Sequence, residues 1–117
     1  MATIDELIQI VVQFRDERDW KQFHTPKELA IQLVLESAEV IELMQWRSGQ
    51  ELDEHLAENR ELVADELSDV LHSVLLIAAE MKIDLAAAFK SKMAKNAVKY
   101  PVEKSRGSAQ KYTQLDP

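Results

Sequence analysis

Cysteine is absent from this chain of 117 residues. Disulfides, thiolate nucleophiles and zinc–thiolate sites are thereby excluded, and nothing points to an oxidising compartment. Glycine occurs twice and proline three times, too few for the tight turns of an all-β fold. Long hydrophobic runs are missing too: the longest, Val74 to Ala79, is far too short to span a bilayer. The opening segment MATIDELIQI mixes Asp5 and Glu6 with its apolar residues, unlike a signal peptide, so a cytoplasmic location is the default expectation. Positive charge is scarce. Fourteen Lys and Arg stand against 21 Asp and Glu, a net charge of −7, which argues against broad binding of nucleic-acid polymers or anionic membranes. A small anionic ligand stays compatible where cations are local or a metal supplies the charge.

What is present is helical periodicity. With 46% hydrophobic and 30% charged residues, the chain reads as one ordinary globular domain over 1–117 with its own core. Thr3-x-x-Glu6 and Thr25-x-x-Glu28 match the capping box, in which side chains satisfy the first free N–H groups of a helix. Pro26 fits a first helical position, where its missing donor costs nothing. Gly49 is a natural helix stop, Asp84 a cap, and Pro101 a terminator. The pattern predicts an all-α, four-helix bundle with helices over about 3–19, 25–48, 58–82 and 85–98. A polar link, SGQELDEHLAENRE, holds at most a short helical turn, and the tail over about 102–117 is expected to be irregular. The third predicted helix carries HSVLLIAA and is apolar over most of its circumference, so either it is central or a second subunit covers it. A homo-oligomer is the favoured reading.

The second predicted helix holds ESAEVIELMQW. Residues advance by roughly 100° each in a helix, so Glu36 and Glu39 lie about 60° apart. Leu29, Leu33, Val40 and Leu43 fall on the same side, while Glu42 points away. The third helix repeats the arrangement with Glu66 and Asp69, beside Leu62, Val63, Val70 and Ile77. An unpaired buried carboxylate costs several kcal/mol or takes up a proton. Four such groups facing each other repel at pH 7, and a divalent cation resolves the conflict. Mg²⁺ prefers oxygen ligands and commonly binds through carboxylates together with substrate phosphates. The competing reading is a solvated acidic face, the usual meaning of an isolated E-x-x-E; two pairs embedded among aliphatics weigh against it. A di-iron centre requires E-x-x-H motifs on two helices, and the second helix has no histidine. His72 therefore reads as a packing or surface residue.

Groups suited to a nucleotide lie nearby in the sequence. Trp20, His24 and Trp46 sit near the ends of the first two helices, where rings can stack on a base or simply anchor a core. The fourth helix carries Lys92, Lys95, Asn96 and Lys99 at i, i+3, i+4 and i+7. The helix dipole favours cations there in any case, but opposite a carboxylate–metal cluster they make a second grip on a polyphosphate.

The segments ERDWKQFHTP, ESAEVIELMQW, ELSDVL, KMAKNAVKYP and KYTQL, in this order, resemble the all-α nucleoside triphosphate pyrophosphatases of the MazG-like superfamily. Within it the chain looks most like the dCTP pyrophosphatases. The resemblance implies that Glu36, Glu39, Glu66 and Asp69 bind Mg²⁺ and that Lys92, Lys95 and Asn96 help hold the phosphates. It implies further that Trp20, His24 and Trp46 line the nucleotide pocket, with Tyr100, Lys111 and Tyr112 completing it, the last two from a neighbouring subunit. A homodimer or homotetramer is the assembly it implies. The chain departs from some dCTP-cleaving members at Val11, where they carry a histidine, and at Ser73, where they carry an aromatic residue. The expected reaction is hydrolysis between the α- and β-phosphates, with Glu36 or Glu39 deprotonating the attacking water, in a role of cleansing the nucleotide pool. The alternatives are a pyrophosphatase for dUTP or a broad range of dNTPs, and a non-enzymatic helical adaptor with an acidic partner-binding face.

Overall fold

A computed structural model of the chain describes residues 1–115, and all regular structure among them is helical. Six α-helices follow in order: α1 (Ile4–Glu17), α2 (Pro26–Glu42), α3 (Gly49–Glu58), α4 (Arg60–Glu80), α5 (Leu85–Lys99) and α6 (Val102–Ser105). Single 3-10 turns lie at Lys21–Phe23 and Tyr112–Gln114. No helix among the described residues is long and apolar enough to cross a membrane.

The local signals act where they stand. The Thr3 and Thr25 hydroxyls accept from the Glu6 and Glu28 amides at 3.1 and 3.2 Å, and the Asp84 carboxylate accepts from the Ala87 amide at 3.1 Å. Each bond satisfies a donor that the start of a helix leaves free. Pro26 is the first residue of α2. The end of α2 differs from expectation. It stops at Glu42, and the following turn closes with amides of Met44 and Gln45 donating to the Ile41 carbonyl, both at 2.9 Å. Trp46 takes φ 69°, the left-handed conformation usually left to glycine. Gly49, expected to end this helix, instead opens α3 at φ 60°. The link read as a single turn is thus a ten-residue helix. The tail is likewise not wholly irregular, since α6 and the turn at Tyr112–Gln114 interrupt it. Asp116 and Pro117, its last residues, lie outside the described residues.

Two compact units divide the chain, Met1–Ile83 and the remainder from Asp84. In the first, α4 is the central element, packed chiefly against α2 and also against α1 and α3. It supplies Leu75, Leu76 and Ala78 to the core, which Leu29 of α2 joins, all at most 3% exposed. Arg15 is buried as well, its Nε donating to Asp16 at 2.9 Å and its guanidinium 3.8 Å from Glu80. In the second unit the tail folds back on α5: the Tyr112 ring meets Tyr100 edge-on at 6.0 Å, and the Lys99 ammonium lies 4.9 Å from the Tyr112 ring centre.

Candidate active site

The contact between α2 and α4 carries the two acidic pairs. Leu33 and Val40 on α2 and Leu43 just past its end, with Val63, Val70 and Ile77 on α4, are half-buried around it, as the helical wheel predicts; Leu62 is exposed. This packing brings Glu36, Glu39, Glu66 and Asp69 together. One carboxylate oxygen from each lies within 4.8 Å of the other three. Glu36 and Glu66 are half-buried and Glu39 and Asp69 face solvent.

The four carboxylates crowd like charge into one place. Glu36 Oε2 and Glu66 Oε2 are buried without a hydrogen-bond partner, although buried polar atoms are nearly always paired. Loss of hydration, followed by the adjacent Glu39 carboxylate and the charge of Asp69, raises the pKa of Glu36. Glu66 is raised first by Glu39, close enough to share a proton with it, then by loss of hydration and by the charges of Asp69 and Glu36. Oxygen-only donors, two of them orphaned, suit a hard divalent cation.

Beside Asp69 opens a cleft of about 280 Å³ between α1 and α4, lined by Ile10, Val11, Phe14, Asp69 and His72. A neighbouring hollow of about 200 Å³ shares Ile10, Val11 and His72 and adds Leu7, Ser68, Leu71 and Leu75. Phe14 forms the middle of an aromatic row, edge-on to Trp20 at 5.8 Å and to His72 at 6.0 Å. The Arg18 guanidinium lies 3.6 Å from the Phe14 ring centre. His72, read as a packing or surface residue, is a half-buried wall of both clefts. Phe14 and His72 were not legible as site residues because their orientation depends on how α1 crosses α4. The two departures from the family pattern separate: Val11 lines the cleft with His72, whereas Ser73 is buried, its hydroxyl donating to the Asp69 carbonyl at 3.5 Å.

The other expected residues are placed variously. His24 lines a different cleft of about 290 Å³ with Glu28, Leu29, Ile31, Gln32 and Leu35. Its Nδ1 is buried and unpaired, and its pKa is lowered by burial first and then by the charges of Arg15 and His72, with Glu80 opposing. Trp46 stands 91% exposed in the turn after α2. In the second unit, Lys92 and Lys95 are exposed on α5, and Asn96 is half-buried with its amide 3.9 Å from the Met93 sulfur. Tyr100 and Tyr112 meet each other within that unit, beside an exposed Lys111.

The model of the MazG-like family matches residues 31–115, a span holding both acidic pairs. The chain belongs to the MazG-like family. Among curated relatives, rat dCTP pyrophosphatase 1 is 44% identical over 97% of this MazG-like chain and 68% of its own length. The human protein of the same name is 40% identical over the same shares. Among solved structures, a pyrophosphatase from Archaeoglobus fulgidus superimposes with a TM-score of 0.79 at 40% identity, covering 86% of this chain and 94% of that one.

Proposed function

We propose that this MazG-like protein is a Mg²⁺-dependent nucleotide pyrophosphohydrolase that converts dCTP, or a modified dCTP, to the monophosphate and pyrophosphate. The observation that carries the reading is the tetrad: four carboxylate oxygens within 4.8 Å of one another, in a chain 40–44% identical to enzymes named dCTP pyrophosphatase 1. Glu36, Glu39, Glu66 and Asp69 would hold the cation. When bound, Mg²⁺ offsets the charge that builds on the phosphate oxygens in the transition state.

The chain's own groups do the rest. Glu36 or Glu39 accepts a proton from the attacking water as its oxygen bonds to the α-phosphorus. The bond to the bridging oxygen then breaks, and pyrophosphate departs. Lys92, Lys95 and Asn96 hold phosphate oxygens, and Trp20, His24, Trp46, Tyr100, Lys111 and Tyr112 are the further substrate contacts of this reading. Of Glu36→Gln and Glu39→Gln, the variant that still gains thermal stability from Mg²⁺ yet loses turnover identifies the base.

Self-association is part of the proposal. Ile31, Val34, Leu35 and Ile41 of α2 are all exposed, an apolar surface that a homodimer or homotetramer would cover. Light scattering on the purified protein reads this directly. A cytoplasmic role in clearing unwanted dNTPs completes the reading.

The deciding experiment follows pyrophosphate release from dCTP, dUTP, dTTP and purine dNTPs, with Mg²⁺ and with EDTA. Magnesium-dependent release, greatest for dCTP, is expected. Absence of turnover, or release of orthophosphate as the first product, overturns the proposal, and an acidic adaptor would in addition leave the melting temperature indifferent to Mg²⁺ and nucleotide.

A further inference from the structure

The cleft beside Asp69 has a composition that selects its occupant. Its walls are Ile10, Val11 and Phe14, and its polar members are Asp69 and His72. No Lys or Arg is among these lining residues, and the Arg18 guanidinium is stacked over the Phe14 ring, 3.6 Å from its centre; the walls themselves offer phosphate oxygens an apolar surface and a carboxylate of their own sign. A flat, uncharged, weakly polar ring fits such a place, with apolar faces for packing and few polar groups for orientation. The volume of about 280 Å³ is a compartment for part of a nucleotide, below the usual range for a whole drug-sized ligand. Because Asp69 belongs both to this cleft and to the tetrad, the compartment opens beside the phosphate chemistry.

We infer that His72 contacts the nucleobase in this cleft and sets the base preference of the enzyme. The inference rests on the nucleotide pyrophosphohydrolase reading given above. Asp69 is engaged by the cation in that reading, which leaves the imidazole as the side chain here able to read a base edge. A neutral imidazole presents one N–H donor and one acceptor nitrogen. The edge-on contact with Phe14, 6.0 Å between ring centres at 88°, holds the imidazole at the wall. Val11, on the α1 side of the same cleft, has no polar atom that could take over the role.

The test crosses an enzyme truncation with a substrate truncation. His72→Leu removes both ring nitrogens at similar bulk, and His72→Gln keeps a donor and an acceptor. Each is assayed with Mg²⁺ on dCTP, dTTP and the baseless sugar analogue 2-deoxyribose 5-triphosphate. One lost hydrogen bond corresponds to about a fivefold to tenfold effect. His72→Leu should lower kcat/KM for dCTP by that factor, mainly through KM, and narrow the ratio of dCTP to dTTP. It should change the rate on the baseless analogue less than about twofold, and His72→Gln should recover part of the loss. An equal loss on dCTP and on the baseless analogue would mean that His72 acts on the metal site or on packing, and overturns the inference. So does an unchanged base preference in both variants. If His72→Leu does not fold, His72→Ala, which also removes both ring nitrogens, takes its place with the same expected and overturning results. A wild-type enzyme inactive on every triphosphate removes the functional reading and this inference together, whereas an active wild type with an indifferent His72 removes only the inference.

Discussion

Glu36→Gln removes one negative charge from the tetrad at nearly constant shape, and its effect can be worked from the geometry. The Glu36 carboxylate has an oxygen within 4.8 Å of those of Glu39 and Asp69. Both partners are exposed, so a water-like dielectric applies, and each like-charge pair costs about 1 kcal/mol when fully ionised. Protonation already relieves part of this, because Glu36 holds its proton more tightly than an ordinary carboxyl. The amide also brings two donors to a place where Glu36 Oε2 has no partner. A net gain of about 1–2 kcal/mol follows for the metal-free protein, or about 4–8 °C in Tm for a chain of this size. Magnesium works in the opposite sense. At a hundredfold excess over its Kd, a cation bound only to the folded state adds about 2.7 kcal/mol, roughly 10 °C. Thermal unfolding of both proteins in EDTA and over a Mg²⁺ series measures the two effects. Glu36→Gln should melt higher in EDTA and gain little from Mg²⁺. A variant that melts lower in EDTA, or gains from Mg²⁺ as much as the wild type, refutes the crowding argument.

Raised carboxyls also make metal-free stability pH-dependent. Glu36 and Glu66 hold protons more tightly folded than unfolded, so their contribution is complete below the ordinary value of 4.5 and is lost as pH rises through the raised folded values. Denaturant melts in EDTA should show that loss, and Glu36→Gln should shrink it. His24 has the opposite sign: below 6.5 the unfolded chain takes its proton first, so acidification toward the lowered folded value costs stability that a His24→Gln variant should not lose. Arg15→Ala should destabilise by about 2 kcal/mol, because it strips a buried guanidinium from Asp16 and Glu80, which keep some access to water. Trp46→Ala should leave Tm within about 2 °C, since the ring is 91% exposed, yet raise KM if it stacks on the base; equal losses in kcat and kcat/KM would give it a transition-state role.

The sequence was legible where its signals are local. Caps at Thr3, Thr25 and Asp84 act within three residues of themselves, and each acidic pair follows from helical spacing alone. The meeting of the two pairs is non-local, yet it was readable because both sit among aliphatics that must be buried. The end of α2 was misplaced because Gly49 is a stronger local stop than a tryptophan, and only the chain's path shows Trp46 in the left-handed region. Helix α3 was read as no more than a short turn because GQELDEHLAE offers only two leucines as an apolar stripe. Arg15 resembles any cation in the last turn of a helix; its burial depends on neighbours brought by α4. For the same reason His72 looked inert.

Exposure differs within the tetrad. Glu39 and Asp69 face solvent while Glu36 and Glu66 do not. A cation bound in the tetrad would be held from the solvent side by Glu39 and Asp69 and from the buried side by the unpartnered oxygens of Glu36 and Glu66. Asp69 is common to the tetrad and to the cleft with His72, so an Asp69→Asn variant should lose turnover and base preference together, whereas His72→Leu should shift mainly KM and base preference.

The most direct measurement is anomalous diffraction from crystals soaked in Mn²⁺, as a stand-in for Mg²⁺, with a dCTP analogue that cannot be cleaved between its α- and β-phosphates. An anomalous peak within bonding distance of Glu36, Glu39, Glu66 or Asp69 oxygens and of the phosphates is the predicted result. A tetrad without manganese, while the analogue binds elsewhere on the chain, would contradict it.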